Sequence, residues 1–247
     1  MNEPVIVTGL VIEVTPQSEY DRRVVLITKE RGKISAFARG ARKGNSALLA
    51  ATNAFVFGTF TLYEGRNSYT LIQASVKEYF TELAKAQPEV YYGFYFLELA
   101  AYYAREGVQE TAMINLLYIS LKALLNEKLD NQLVKVIFEL KTMVINGEYP
   151  NVFACANCGA TEDLEGISLS KSKVYCKECL GEATNVEQIS PSALYTFQYI
   201  ISTPLEKLYT FTVSPEVLEE IETKMTRYMH YYIEKRFKTL EILEMMC

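Results

Sequence analysis

Four cysteines carry the most specific chemistry in this sequence: Cys155 and Cys158 form one CxxC pair, and Cys176 and Cys179 form a second, with seventeen residues between them. Each pair on a tight turn aims two sulfurs at one point. Two such pairs at this separation meet as a closed tetrahedral four-thiolate site, for which zinc is the expected ion, one per chain. Gly159 follows the first pair and Leu180-Gly181 the second, supplying the backbone freedom that thiolate-bearing turns require. Between the pairs, Leu164, Ile167, Leu169, Val174 and Tyr175 read as two short strands that cover the metal on one side. A site closed by four thiolates leaves no position for water or substrate, so its expected role is structural.

Disulfides, an iron–sulfur cluster and a redox CxxC are the competing uses of such cysteines. The amino terminus shows no signal-peptide pattern, and a reducing compartment disfavours disulfides. The even spacing around one hairpin is commoner for zinc than for a cluster, and no βαβ pattern surrounds the pairs as a redox motif would need. Cys247, the fifth cysteine, has no partner by spacing. His230 is the only histidine, flanked by Met229 and Tyr231, with no carboxylate spaced to orient it. There is no nucleophile elbow, phosphate-cradling glycine loop, HExxH or paired carboxylate motif, so no catalytic residue and no enzymatic activity are expected.

A second chemistry is carried by charge. The chain is acidic overall, at −5, yet residues 1–80 sum to +3 and residues 81–247 to −8. Within the first part, Arg22, Arg23, Lys29, Arg31, Lys33, Arg39, Arg42 and Lys43 stand against the single acid Glu30. Such a run fits a polyanion, since each neutralised phosphate releases counterions and guanidinium forks grip phosphate oxygens. Phe37, Tyr63 and Tyr69 are the aromatic residues available to stack on bases, although for each alone burial in the barrel interior is the better explanation.

The elements that must position these groups follow from periodicity. Val5 to Val14 alternates apolar and polar residues and closes at Thr15-Pro16; Arg22 to Thr28, Lys33 to Arg39, Phe55 to Tyr63 and Tyr69 to Tyr79 supply four more strands, with a short helix over Asn45 to Asn53. Five strands with a helix between the third and fourth predict an OB-fold barrel over residues 1–80, a fold whose face and loops commonly bind oligonucleotides. Residues 81–247 predict a helical domain with the zinc module set into it at about 151–186, so the fold class is α+β. Helices are expected from Pro88 to about Arg105, from Glu110 to Asn126, and along the stripe Leu133, Val136, Ile137, Leu140, Val144. Ser190-Pro191 and Ser214-Pro215 each read as an N-cap with proline at the first helical position, and the last long helix is expected to end in Lys235, Arg236 and Lys238. No segment qualifies as a membrane span.

These residues also carry a family resemblance. Glu19-Tyr20-Asp21 leading to Val25-Leu26-Ile27-Thr28, Gly32-Lys33, Arg39-Gly40-Ala41-Arg42-Lys43 through Ser46, the two CxxC pairs and Arg236-Phe237-Lys238-Thr239-Leu240-Glu241-Ile242-Leu243 together resemble the RecO family of bacterial recombination mediators over essentially the whole chain. The resemblance implies a cytoplasmic, nucleoid-associated, non-catalytic DNA-repair protein. It implies binding to single- and double-stranded DNA, annealing of complementary strands, and work with RecR to load RecA onto strands coated by single-strand-binding protein, whose acidic, hydrophobic C-terminal tail the helical part would recognise. The acidic helical part confines the expected DNA contact to the barrel. A reading from a different class is a protein-interaction scaffold with a structural zinc module, in which the basic barrel face meets an acidic protein partner.

Overall fold

The computed structural model describes residues 3–66 and 68–246, and the chain divides into two compact units: Met1–Leu125 with Phe237–Cys247, and Asn126–Arg236. Asn67 and Cys247 lie outside the described residues.

The first unit is built on a closed barrel of β1 (Val5–Pro16), β2 (Arg22–Thr28), β3 (Gly32–Ala38), β4 (Phe57–Glu64) and β5 (Tyr69–Glu78), in the order β1-β2-β3-β5-β4. The short α1 (Leu48–Ala51) lies between β3 and β4, as the OB-fold expectation requires. Alternation decides what points inward: Val7, Val24, Leu26, Ile34, Phe60 and Leu62 fill the interior, while their sequence neighbours face out. β3 and β5 close the barrel in parallel, with Ala36 opposite Tyr69, so Tyr69 joins the core and is 5% exposed. That removes Tyr69 from the stacking candidates.

The turn between β2 and β3 depends on Gly32, whose φ of +65° is left-handed. A Cβ there would overlap the carbonyl oxygen of Arg105 and stand 2.5 Å from that of Val108. The loop past α2 (Glu89–Tyr103) approaches this closely because it hydrogen-bonds the hairpin, with Lys33 N donating to Arg105 O at 3.2 Å and Gly107 N to Arg31 O at 3.0 Å. Gly32→Ala is therefore expected to destabilise the protein by about 3 kcal/mol through strain and backbone overlap together. A urea melt checks this, and an unchanged midpoint would mean the loop yields freely.

α2 and α3 (Thr111–Ala123) complete the unit with α7 (Lys238–Met246). The sequence reading of one long helix closing on Lys235, Arg236 and Lys238 is corrected here: α6 (Pro215–Tyr232) stops where Ile233 turns extended, and Lys238 opens a new helix. That last helix is held by Phe237, whose ring lies 5.8 Å from those of Tyr95 and Tyr102, and by the Glu98 carboxylate. Glu98 accepts from Thr239 N at 3.0 Å and from Thr239 Oγ1 at 2.7 Å. A carboxylate at a helix N-terminus satisfies amides that have no partner within the helix, here supplied by another element.

In the second unit α4 (Asn131–Ile145), α5 (Pro191–Ser202) and α6 pack on one another, so helices before and after the cysteine segment share a core. Asp130, Ser190 and Ser214 cap them through Gln132 N, Ala193 N and Val217 N. Between α4 and α5 lies a four-stranded sheet of order β6-β8-β7-β9, made of β6 (Asn151–Cys155), β7 (Leu164–Ser168), β8 (Lys173–Cys176) and β9 (Glu187–Gln188). Three lysines are buried in this unit: Lys135, beside Glu139 and Glu222, Lys141 and Lys224. Lys141 Nζ donates to Ile200 O, Ile201 O and Thr203 O at 3.0, 3.0 and 2.7 Å, closing the carbonyl end of α5. Lys224 Nζ donates to Gln188 O at 2.8 Å between Glu187 and Glu220, pinning β9 to α6. Among the described residues no helix is long and apolar enough to cross a membrane.

Candidate metal centre and nucleic-acid interface

β6 ends on Cys155 and β8 ends on Cys176, so the two adjacent strands deliver one cysteine of each pair to the same end of the sheet. The chain then turns at each. After Cys155, Gly159 at φ +78° lets its N–H donate to Cys155 O at 2.9 Å while Cys155 N donates to Ala160 O at 2.7 Å; after Cys176 a 3₁₀ helix over Lys177–Glu182 carries Cys179. All four Sγ atoms lie within 4.8 Å of one another, and Cys158 Sγ is 3.6 Å from Cys176 Sγ. A tetrahedral ion with bonds of about 2.3 Å places its sulfurs about 3.8 Å apart. The four-thiolate set therefore fits a metal ion with little movement. The expected hairpin is present, since β7 and β8 pair antiparallel with Ile167 opposite Val174 and both buried. Across the turn Ser172 Oγ is hydrogen-bonded to Tyr228 OH at 2.8 Å and to Tyr232 OH, tying the hairpin to α6.

The electrostatics of four gathered thiols are uneven. Burial pushes the Cys155 thiol up, but backbone N–H groups of Cys158, Cys176 and Asn157 directed at its sulfur prevail and bring it down to about 6. Cys179 is pushed up to about 12, first by the Cys176 sulfur and then by burial and by Cys158 and Cys155. At Cys158 the Ala160 N–H favours the thiolate, and the sulfurs of Cys176 and Cys155 outweigh it, so its thiol is raised. One thiolate is favoured and its neighbours resist following. A divalent cation removes that conflict by neutralising the charge they would share.

On the barrel, strand register brings expected residues together. Thr15 faces Arg23, Arg23 faces Phe37, Phe37 faces Thr70 and Thr70 faces Tyr63, a single row across all five strands. Directly opposed residues share a face, and Arg23 and Tyr63 are exposed with Phe37 and Thr70 half-buried, so this is the outer face.

The loop after β3 is ordered by the loop before β2. Gly40 N donates to Asp21 Oδ1 at 2.7 Å, Arg42 N to Tyr20 O at 2.9 Å and Arg42 Nη1 to Ser18 O at 2.9 Å, while Lys43 Nζ sits 5.5 Å from the centre of the Tyr20 ring. The Gly40 N–H, then the Ser18 hydroxyl, hold the Asp21 carboxyl below the usual carboxylate range. Arg39, Arg42 and Lys43 are exposed on this loop.

The remaining expected cations divide. Arg22 is turned inward, its Nη1 donating to Leu49 O at 2.9 Å, Thr52 Oγ1 at 2.9 Å and Asn53 Oδ1 at 3.0 Å, and burial with nearby Arg42 lowers its pKa. Lys33 Nζ donates to Ala101 O at 2.5 Å near the end of α2. Arg31 stands 3.9 Å from Glu64, Arg23 Nε donates to Ser35 Oγ at 2.7 Å, and Lys29 is half-buried. Glu30, the lone acid of the run, accepts from Thr8 N at 2.8 Å. Sequence reasoning missed the ordering roles of Ser18, Tyr20 and Asp21; the Ser-x-x-Asp spacing beside a glycine-containing basic loop was the available signal.

The second unit also has a groove of about 600 Å³ along α5 and the start of α6, lined by Tyr195, Tyr199, Phe211 and Val213 among others, with no charged side chain in its lining.

Comparison with known proteins places these features in one group. A family model described as "Recombination protein O N terminal" matches residues 1–80, and one described as "Recombination protein O C terminal" matches residues 88–241. A protein of Alkaliphilus metalliredigens named DNA repair protein RecO is 30% identical over 95% of this chain and 96% of its own length. Proteins of the same name from Acetivibrio thermocellus and Symbiobacterium thermophilum are 29% and 30% identical, each over 96% of this chain and over 95% and 96% of their own lengths.

Proposed function

We propose, because this chain belongs to the RecO family of DNA repair proteins, that it is a non-catalytic recombination mediator which holds DNA on the outer face of its barrel. The observation that carries this reading is the row Arg23, Phe37, Thr70, Tyr63 beside the exposed Arg39, Arg42 and Lys43. Cations along the loop grip successive phosphates, and the two aromatic side chains on the sheet stack bases, a combination that suits single strands without reading their sequence. Lys29 and Arg31 flank this surface, whereas Arg22 and Lys33 act inside the fold by tying β2 to α1 and β3 to α2.

In this reading the protein binds single- and double-stranded DNA, anneals complementary strands, and with RecR helps load RecA onto strands coated by single-strand-binding protein. Its place is the cytoplasm, at the nucleoid. The tail of the coating protein is recognised by the helical part. Cys155, Cys158, Cys176 and Cys179 hold one structural zinc ion, which braces the sheet between α4 and α5 and takes no part in chemistry.

Fluorescence anisotropy with a labelled oligonucleotide, titrated with salt, tests the DNA reading. Replacing Phe37 and Tyr63 together by alanine should weaken single-strand binding by at least about 30-fold, with the salt slope unchanged, because stacking contributes about 1–3 kcal/mol per base while phosphate contacts set the slope. A flat salt curve for the unaltered protein would sink the reading.

A further inference from the structure

The four sulfurs are not equally reachable. Cys155 and Cys176 are each 4% exposed, Cys179 is half-buried, and Cys158 is exposed. Cys176 is buried at the end of β8, with Leu164 of β7 as its cross-strand neighbour. Cys158 belongs to an exposed run, Ala156 to Gly159, and a Cβ added at Gly159 would meet nothing within 4 Å. One knuckle of the clamp therefore opens to solvent on the side of a single ligand. Cys158 Sγ is also 3.6 Å from Cys176 Sγ, a ligand of the other knuckle.

From this asymmetry we infer that Cys158 is an oxidation site: a peroxide-class oxidant reaches its sulfur first, and the product is a disulfide joining Cys158 to Cys176 with release of the metal. The step balances with peroxide as oxidant. The Cys158 thiolate attacks one peroxide oxygen, the O–O bond breaks, and hydroxide leaves, giving a sulfenic acid whose sulfur no longer binds metal. The Cys176 thiolate then attacks the Cys158 sulfur and displaces a second hydroxide; two protons from solvent convert both hydroxides to water. Two thiolates are oxidised by two electrons and one peroxide is reduced. Only Cys155 and Cys179 would then remain to hold a metal ion, and two thiolates would hold it far more weakly than the closed set of four. A bond between the knuckles spans the same two turns that the metal spanned. A thiol reductant with fresh metal restores the site.

The inference rests on the metal reading for the release step, while the difference in exposure among the four sulfurs depends only on the fold. The test uses the full chain, with metal content measured first. Hydrogen peroxide is added at up to one equivalent, released metal is followed with a chromogenic chelator, and non-reducing peptide mapping locates the products. The expected result is a Cys158–Cys176 disulfide as the main species, appearing in step with released metal. In parallel, limited iodoacetamide is expected to alkylate Cys158 of the metal-loaded protein at least five times faster than any other of the four, because there its sulfur is the exposed one. First modification at Cys155, Cys176 or Cys179, or a disulfide confined to one CxxC pair, overturns the inference. Protein purified without metal yet labelled first at Cys158 would count against the zinc reading and leave the oxidation site standing.

Discussion

Arg39, Arg42 and Lys43 changed together to glutamate are expected to lower single-strand affinity by about 10²- to 10³-fold at moderate salt, and to flatten the dependence of affinity on salt by about two units of slope. The size follows from charge: three exposed cations on one ordered loop are replaced by three anions beside the same phosphates. Arg42 also donates to Ser18 O, so its replacement loosens the loop as well as removing a charge. The double change of Arg39 and Lys43, which leaves that hydrogen bond, separates the two effects and should keep most of the loss. Arg22→Gln serves as the contrast, since its guanidinium is engaged by Leu49, Thr52 and Asn53. It should reduce stability by about 2 kcal/mol with the salt slope intact. Anisotropy across a salt series and a urea melt read both quantities. If the triple variant binds as well as the unaltered protein, the loop is not the phosphate track.

Loss of the metal is expected to have the largest effect on stability. Cys155→Ser removes the buried ligand on which β6 ends, and a structural zinc in a small module holds about 10 kcal/mol of folding free energy at neutral pH. The variant should contain no metal and should lose the cooperative transition of residues 126–236 or show it at least about 10 °C lower by calorimetry. The same site predicts a pH dependence whose sign is fixed by the thiols. Cys158 and Cys179 are raised in the metal-free protein, to about 12 for Cys179, so each releases a proton when metal binds near neutrality. The bound state holds fewer protons, and affinity must fall as the solution is acidified. The fall is expected to be about two decades or more per pH unit between about pH 6 and 8. Below about 6 the Cys155 thiol also protonates and adds another decade per unit. Competition with a chromogenic chelator across that range measures it; an affinity independent of pH would mean that these thiols are already ionised without metal.

What was readable in the chain and what was not divide along physical lines. The barrel was readable because a half-buried strand writes its two faces into alternate residues, and Val24, Leu26, Ile34 and Phe60 obey that period. The cysteine clamp was readable because metal ligation needs fixed spacing. Phe37, Tyr63 and Tyr69 were equivalent in sequence and only cross-strand register separates them, placing the first two with Arg23 and the third inside. Arg22 and Lys33 have the same composition signal as Arg39 and Lys43, but their partners are the backbone of α1 and α2, about which a local reading says nothing. Lys141 is the same problem reversed, a cation inside an apolar helix whose three acceptors lie at the end of α5, far along the chain. The start of α7 was misjudged because Lys235, Arg236 and Lys238 imitate the basic end of a helix, while the group that caps the next one is Glu98.

That final helix makes the barrel unit discontinuous: residues 126–236 are an insertion within it. Synthesis from the amino terminus therefore delivers every residue of the inserted unit before the enclosing one can be finished. The inserted unit has its complete set of strands, helices and cysteines while Tyr95 and Tyr102 still await Phe237. Truncation behaves in the same inverted way. Removing the last residues of the chain leaves the acidic insertion whole and damages the unit at the opposite end of the sequence, the one that carries the basic face.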